Sequence, residues 1–420
     1  MNRYTLTIFA ITSVLILSCD QDFTTATVTY TRATGVYGDL DEIRQTSLVT
    51  ESQEIINPGK IFVADNLLLI GEENEGIHVV DNSDPENPQN SLFINVPGNK
   101  EFYVYDNNIY AESYYDMLKI DISQINQPQL VSRVENAFVG EFQDPQGQTL
   151  LGFTFEEVTE KLSRDDEFFR IVQQNEILYF DFQDRLIPES AVPASFAGNS
   201  NQAIGSVNRI AYNNGHVYVI SRSILTTFND NGVLEKVSSE YAGWQMETIY
   251  PYEDLLFIGT QNSMQIMGLE DPDQPTYVSE FQHADSCDPV YPVDDNVAYV
   301  TLRTGDIGNC PGDVNAIVVV DITTIQNPRP TQEIAMESPF GMTMIGDDLF
   351  VGEGQYGLKQ FDASNRRNLV LKQWDESIEA YDVIPHPTRT DIVLIAGPEG
   401  LSQYSVNTNN SFELLSRVLF

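Results

Sequence analysis

The sequence is short of positive charge, of cysteine and of histidine, and each shortage removes a class of function. Only 22 of its 420 residues are Lys or Arg, against 62 Asp and Glu, for a net charge of −40. Binding duplex nucleic acid draws on counterion release and needs a cationic footprint, so nucleic acid is excluded as a partner. The same surface is repelled by anionic headgroups, so any membrane attachment must come from something other than charge. There are three cysteines and four histidines. No Cys-x-x-Cys or Cys/His spacing suits zinc, and His78, His216, His283 and His386 are scattered without a ligand at motif distance, so neither metal nor cofactor is expected. HExxH, GxSxG and EF-hand patterns are missing. Gly352, Gly354 and Gly357 match GxGxxG, but Leu358-Lys359-Gln360-Phe361 reads as a strand, which offers phosphate no helix N-terminus. Paired carboxylates such as Asp165-Asp166, Asp294-Asp295 and Asp347-Asp348 read as turns. Helical periodicity is confined to a short stretch near 155–162.

The N-terminus supplies the missing attachment. Asn2-Arg3 precedes an apolar run over 6–17 that is too short for a comfortable membrane span. The run ends in Ile16-Leu17-Ser18-Cys19, which resembles the lipobox of bacterial lipoproteins. The resemblance implies a signal peptide over 1–18, cut before Cys19, and fatty acyl chains, palmitate among them, on that cysteine. Three chains suffice for stable anchoring where one is marginal. Asp20-Gln21-Asp22 is similar to a surface-export signal of Bacteroidota-type lipoproteins, whereas Asp at this place in enterobacterial ones resembles an inner-membrane retention signal. Outer membrane or cell surface is therefore favoured over inner membrane. Cys287 and Cys310 remain, and in an oxidising compartment an even remainder suggests one disulfide.

Residues 19–57 read as the lipidated N-terminus and a polar tether, and 58–420 as a repeat domain. Each unit holds an apolar strand, a tight turn and a second apolar strand. The turns are Asp65-Asn66, Asn107-Asn108, Asn214-Gly215, Glu253-Asp254, Asp295-Asn296, Asp347-Asp348 and Thr390-Asp391. These residue types tolerate positive φ. Asn66 to Asn107 is 41 residues, Asn214 to Asp254 is 40 and Asp254 to Asp295 is 41. A period near ~40 with four short strands per unit is propeller spacing. A second signature follows the third strand. Asp81, Asp121, Gly268 and Asp321 each stand seven residues before a proline, at Pro88, Pro128, Pro275 and Pro328. An Asx-type turn and a Pro-bounded loop would lead into an outer strand, where proline discourages edge pairing.

The apolar run ending in Asp, followed by a D-P-x-x-P-like turn as in Asp84-Pro85-Glu86-Asn87-Pro88, resembles the LVIVD-repeat proteins over about 59–420. It implies an all-β fold of propeller-like repeats and says little about function. Counting turns predicts a β-propeller of seven four-stranded blades, with six or eight as alternatives. Departures occur at Thr227-Phe228-Asn229, Phe361-Asp362-Ala363 and Gln403-Tyr404-Ser405. Pro251, Pro292 and Pro385 fall in first strands, as inner edges lining a channel allow. Ring closure is open between 48–56 pairing with the last blade and 412–420 filling that place.

Two irregularities mark one face, where first strands start and second-to-third hairpins turn. A long inter-blade insertion occupies about 139–205, and a shorter one in the fifth unit holds Cys310, with Cys287 entering the same unit. Long loops on one face of a rigid ring are where binding resides. The candidate ligand-face residues are Trp244, Arg303, Tyr115, Tyr356, Glu72 and Tyr381; catalytic residues are not identifiable. The leading expectation is a cell-envelope binding or interaction module with a protein or carbohydrate partner. The alternative is a hydrolase or lyase acting on carbohydrate or another envelope polymer through two carboxylates converging on that face.

Overall fold

A computed structural model describes residues 24–138, 144, 147–175, 177–181, 183–187, 208–284, 286, 289–305, 312–406 and 411–420. Cys19, Cys287 and Cys310, and with them the expected lipidation and disulfide, lie outside those residues. The chain divides into two compact units, Met1–Val36 with Phe153–Ala191, and Tyr37–Gly152 with Val192–Phe420.

In the larger unit every expected first hairpin is present, and each module opens with an inner strand paired on one side. The first module runs Pro58–Ala64, Leu67–Glu72, Gly76–Asp81 and Gln89–Asn95. The last runs Asp382–Pro385, Ile392–Gly397, Gly400–Val406 and Phe412–Leu419. In the middle of the chain two modules share one six-stranded sheet, because His216–Asp230 and Leu234–Tyr252 each run on through two strand positions. Pro292 and Pro385 sit in strands at a sheet edge, where no ladder bond is lost.

The third strand ends where the sequence placed its Asp. Gly76–Asp81, Asp116–Asp121, Ser263–Gly268 and Ala316–Asp321 stop at the marked residue, and the outer strands start at Gln89, Gln129, Thr276 and Arg329, each just past its proline. Asp81 Oδ1 accepts from Ser83 N at 2.9 Å and Asp321 Oδ1 from Thr323 N at 2.9 Å, which closes the Asx turn. The next residue's N–H returns to the first hairpin: Asn82 to Asn66 O at 2.7 Å, Ile322 to Asn296 O at 2.9 Å. The three departing modules obey the same rule. Asp230, Ala363 and Val406 donate to Gly215, Asp347 and Asp391 at 2.7, 2.8 and 2.8 Å. Asp362 accepts from Ser364 N without any proline. A register shift interrupts the third-to-outer pairing at matching places, Val79/Val80, Thr227/Phe228, Val319/Val320 and Gln403/Tyr404 among them, twisting the outer strand as bulges do.

Apolar faces are buried between successive modules. Leu69 and Ile94 pack on Phe102 and Leu118. Tyr110 and Met117 pack on Val219 and Phe228. Phe350 and Leu358 pack on Val383 and Ile395. The last returns to the first: Leu394 and Leu401 pack on Leu68 and Ile70. Buried Asn82 and Gln403 exchange amide hydrogen bonds at 3.0 and 2.6 Å across this junction. Sheets that follow one another face to face and close on themselves are a β-propeller.

Ring closure takes the second of the two ways left open: Phe412–Leu419 completes the last sheet, while Val49–Glu51 pairs with Gln89–Asn95 and adds a fifth strand to the first sheet. The described part of the expected tether, 24–57, carries regular structure. Thr25–Gly38 is a strand paired in parallel with Ile177–Phe180, and Leu40–Arg44 is a helix capped by Asp39, whose carboxylate accepts from Asp41 N at 2.8 Å. Arg44 in turn holds Asp116 at 2.8 Å. The alternation in TATVTYTR places β-branched and aromatic residues at strand period, a pattern outweighed in the reading by its polar composition.

The smaller unit is one four-stranded sheet built from Thr25–Gly38 and three strands of the expected insertion, Thr149–Ser163, Ile177–Phe180 and Leu186–Ile187. Residues 155–162, expected to show helical character, lie in the second of these. The helix is Glu167–Gln174, capped by Asp166. Tyr30, Val172, Leu178 and Phe180 form its core.

Candidate functional site

Each inner strand of the propeller brings one residue to the same register. By their place opposite the second strands, these are Lys60, Glu101, Arg209, Thr248, Pro289, Gly341 and Asp382. The carbonyls of Glu101, Arg209, Pro289 and Gly341 accept from the neighbouring second strand at 3.1, 3.0, 3.2 and 3.0 Å, and Thr248 and Asp382 pair with Gly259 and Ala396. Around the ring the signs alternate over four consecutive modules: Asp382 negative, Lys60 positive, Glu101 negative, Arg209 positive. Thr248, Pro289 and Gly341 leave the remaining arc without charge.

Three of these charges are buried, Lys60 and Asp382 at 3% exposure and Glu101 at 6%. Burying charge is costly unless opposite charge or hydrogen bonds compensate. Lys60 Nζ donates to Asn208 Oδ1 at 2.6 Å. Burial nevertheless pushes its ammonium down to about 8, with Glu101 and Asp382 opposing. Burial raises the Glu101 carboxyl, opposed by Lys60 and Arg209. Glu112, opposite Glu101 on the second strand, is pushed up to about 7 by burial and by the Glu101 charge. Asp382 fits because its neighbour is glycine: a Cβ on Gly341 would stand 1.6 Å from Asp382 Oδ1. Glu101 Oε2 is buried with no hydrogen-bond partner.

Inner strands line an open cavity of about 290 Å³, bordered at this register by Thr248, Pro289, Gly341 and Asp382. Ile61, Phe62, Val63, Val290 and Ile384 give it apolar wall, and Asn208, Thr248, Tyr250, Tyr291, Thr343 and Asp382 give it polar groups. Tyr250 and Tyr291 lie 5.2 Å apart, tilted at 59°, and Phe62 meets Tyr103 edge-on at 5.3 Å. Burial raises both cavity tyrosines, so their hydroxyls stay protonated donors.

A second group involves the uncharged arc. The buried Arg303 guanidinium lies 4.3 Å from the centroid of Phe340, which meets Tyr381 edge-on at 4.9 Å. Tyr381 donates to Glu379 at 2.8 Å, and burial together with that carboxylate pushes its phenol up to about 12. Burial lowers Arg303, with Glu247 opposing. Two expected ligand-face residues, Arg303 and Tyr381, are thus brought together through Phe340, which sequence reasoning did not name.

The other candidates are placed differently. Glu72 is buried and accepts from Ile56 N at 3.1 Å, Asn57 N at 2.5 Å and the His78 ring at 2.9 Å. Glu353 repeats this clamp in the sixth module, accepting from Glu337 N and Ser338 N at 2.8 Å each and pairing with Lys359. Tyr115 is buried, with its hydroxyl on Leu150 O at 2.9 Å. Tyr356 is exposed, and its carbonyl accepts from Trp374 Nε1 at 2.7 Å. Trp244 lies in the strand Leu234–Tyr252, and its side chain is outside the described set. Gly352, Gly354 and Gly357 fall at the hairpin before the strand Leu358–Asp362, as expected. No three His, Cys, Asp or Glu among the described residues are grouped to hold a metal.

Lys60, Glu101, Arg209 and Asp382 escaped the sequence reading. One signal was available: Lys60, Glu101 and Arg209 each stand five residues before Asp65, Asp106 and Asn214.

No family model matches the chain, and no curated protein matches it. Solved structures do. The computationally designed Ika8 protein is similar at 10% identity and a TM-score of 0.50, over 88% of this chain and 89% of that one. A chain of the Mitotic Checkpoint Complex is similar at 9% identity and a TM-score of 0.52, over 89% and 91%. The periplasmic gluconolactonase PpgL of Pseudomonas aeruginosa is similar at 11% identity and a TM-score of 0.53, over 84% of this chain and 96% of that one. At such identities the likeness is one of fold.

Proposed function

We propose that the chain is a cell-envelope lipoprotein, anchored through Cys19 after removal of 1–18, whose propeller of seven LVIVD-type blades is a binding module with its ligand site in the central cavity. The observation that carries this reading is a cavity lined by inner strands, with Asp382, a buried charge of the inner register, in its wall. Repeated structure alone would place the same residue type in every module. A pocket with apolar walls and a few convergent polar groups is the usual form of a ligand site.

The test uses the mature chain. Small-molecule ligands are screened by thermal shift against wild type and Val63→Trp, a variant that fills the cavity from one wall; circular dichroism confirms that it folds. Ligands that stabilise wild type and not the variant support the reading, and equal stabilisation of both contradicts it. Intact mass spectrometry of membrane-extracted protein tests the anchor, which requires acyl mass on a chain starting at Cys19.

A hydrolase is the second reading, favoured by Glu112 and Glu101. Their mutual repulsion and burial leave Glu112 near neutrality, as a general acid requires. The fold shared with a gluconolactonase is compatible with it. On this reading Glu112→Gln abolishes turnover while ligand binding persists.

A further inference from the structure

We propose that the central cavity selects a neutral, polyhydroxylated six-membered ring, a pyranose of monosaccharide size, over charged ligands of the same size. This rests on the reading of the cavity as the binding site and adds the ligand class.

Charge balance is the first argument. Asp382, Lys60, Glu101 and Arg209 form an arc of two negative and two positive groups in alternation, so each is flanked by its opposite. Of the four, only Asp382 lines the cavity; a cationic ligand drawn to it competes with Lys60, whose ammonium already opposes that carboxylate, and an anionic one is repelled by it. A neutral ligand leaves the alternation intact. The protein's net charge of −40 adds a field that disfavours anions further.

The lining is the second. Phe62, Tyr250 and Tyr291 offer flat apolar faces, against which the C–H face of a sugar ring packs. Asn208, Thr248, Thr343 and the two tyrosine hydroxyls are uncharged groups able to donate and accept, as hydroxyls require. Asp382 adds one charged acceptor.

Size is the third. The cavity of about 290 Å³ sits at the small end of ligand pockets, which run from about 300 Å³ upward, and suits a ligand of monosaccharide size.

The experiment is calorimetry on the mature chain with methyl glucoside, methyl galactoside and methyl mannoside as neutral probes, and with glucosamine and glucuronate as the charged pair. At least one neutral pyranoside is expected to bind saturably and more tightly than both charged sugars. Asp382→Asn is expected to weaken it about tenfold, as loss of a charge-assisted hydrogen bond does. Val63→Trp is expected to abolish it. Tighter binding of glucosamine or glucuronate, lost in Val63→Trp, overturns the ligand class and leaves the cavity reading standing. Neutral binding unaffected by Val63→Trp overturns the cavity reading itself. No saturable binding by any of the three neutral probes overturns the class.

Discussion

The rim of the propeller and its inner register are built on opposite rules. At the rim, each module repeats one device: a bulge in the outer pairing, a turn after the third strand, and an N–H returned to the first hairpin. At the inner register the modules share one backbone pairing with the second strand yet carry Lys60, Glu101, Arg209, Thr248, Pro289, Gly341 and Asp382. Repetition marks what every module needs in order to pack. Divergence at an equivalent register marks what the ring as a whole is used for. The rim stores its polar groups in satisfied bonds, whereas the inner arc keeps Lys60, and Glu112 opposite Glu101 on the second strand, away from their ordinary protonation ranges.

The largest effect that sharpens this contrast comes from an inter-module ion pair. Lys119 Nζ holds Asp230 at 2.7 Å, with Tyr110 donating to the same carboxylate at 2.6 Å, and both charged side chains are buried. Asp230→Ala strands the lysine and is expected to cost about 3–5 kcal/mol in urea unfolding. A cost below about 1 kcal/mol means the pair is not buried between modules.

Glu353→Ala comes next, because it frees Glu337 N and Ser338 N and leaves Lys359 unpaired. A loss of about 2–4 kcal/mol is expected by chemical denaturation. An unchanged midpoint would remove the clamp from the scaffold.

Opposite pH dependences separate rim from inner arc more finely. Glu112 is raised from 4.5 to about 7 in the folded chain. Its contribution is fully present below 4.5 and is lost as pH rises through 7. Glu112→Gln removes that loss, so the variant should melt higher than wild type at pH 8 and nearly together with it at pH 4. Asp81 behaves in the reverse sense, since Ser83 holds its carboxyl below the usual range. Its contribution is present above about 4 and disappears as pH falls through the folded value. Asp81→Asn should lose about 0.5 kcal/mol at pH 7, small because the turn is exposed and screened, and progressively less as the pH falls. Parallel pH profiles for the two variants would erase the distinction.

The same contrast explains what the sequence made legible. Asp81, Asp121, Gly268 and Asp321 announced strand ends to the residue because turn chemistry is local and recurs. The buried clamp on Glu72 was not legible as such, because its partners Ile56 and Asn57 lie in the connection before the module. The inner arc was harder still. Asp382 meets Lys60 only after the ring closes across more than three hundred residues, and nothing in either segment foretells the other. Thr25–Gly38 was misjudged for a related reason: its partner strand Ile177–Phe180 comes from the expected insertion, so neither half reads as a sheet alone.

Closure of the ring is what creates the cavity, and the Asn82–Gln403 pair reports on it directly. A double-mutant cycle with Asn82→Ala and Gln403→Ala, measured by urea unfolding of the mature chain, isolates their coupling. The account predicts a coupling of about 1–2 kcal/mol, as expected for two reciprocal buried hydrogen bonds. Additive costs, with coupling indistinguishable from zero, would mean that first and last modules do not meet.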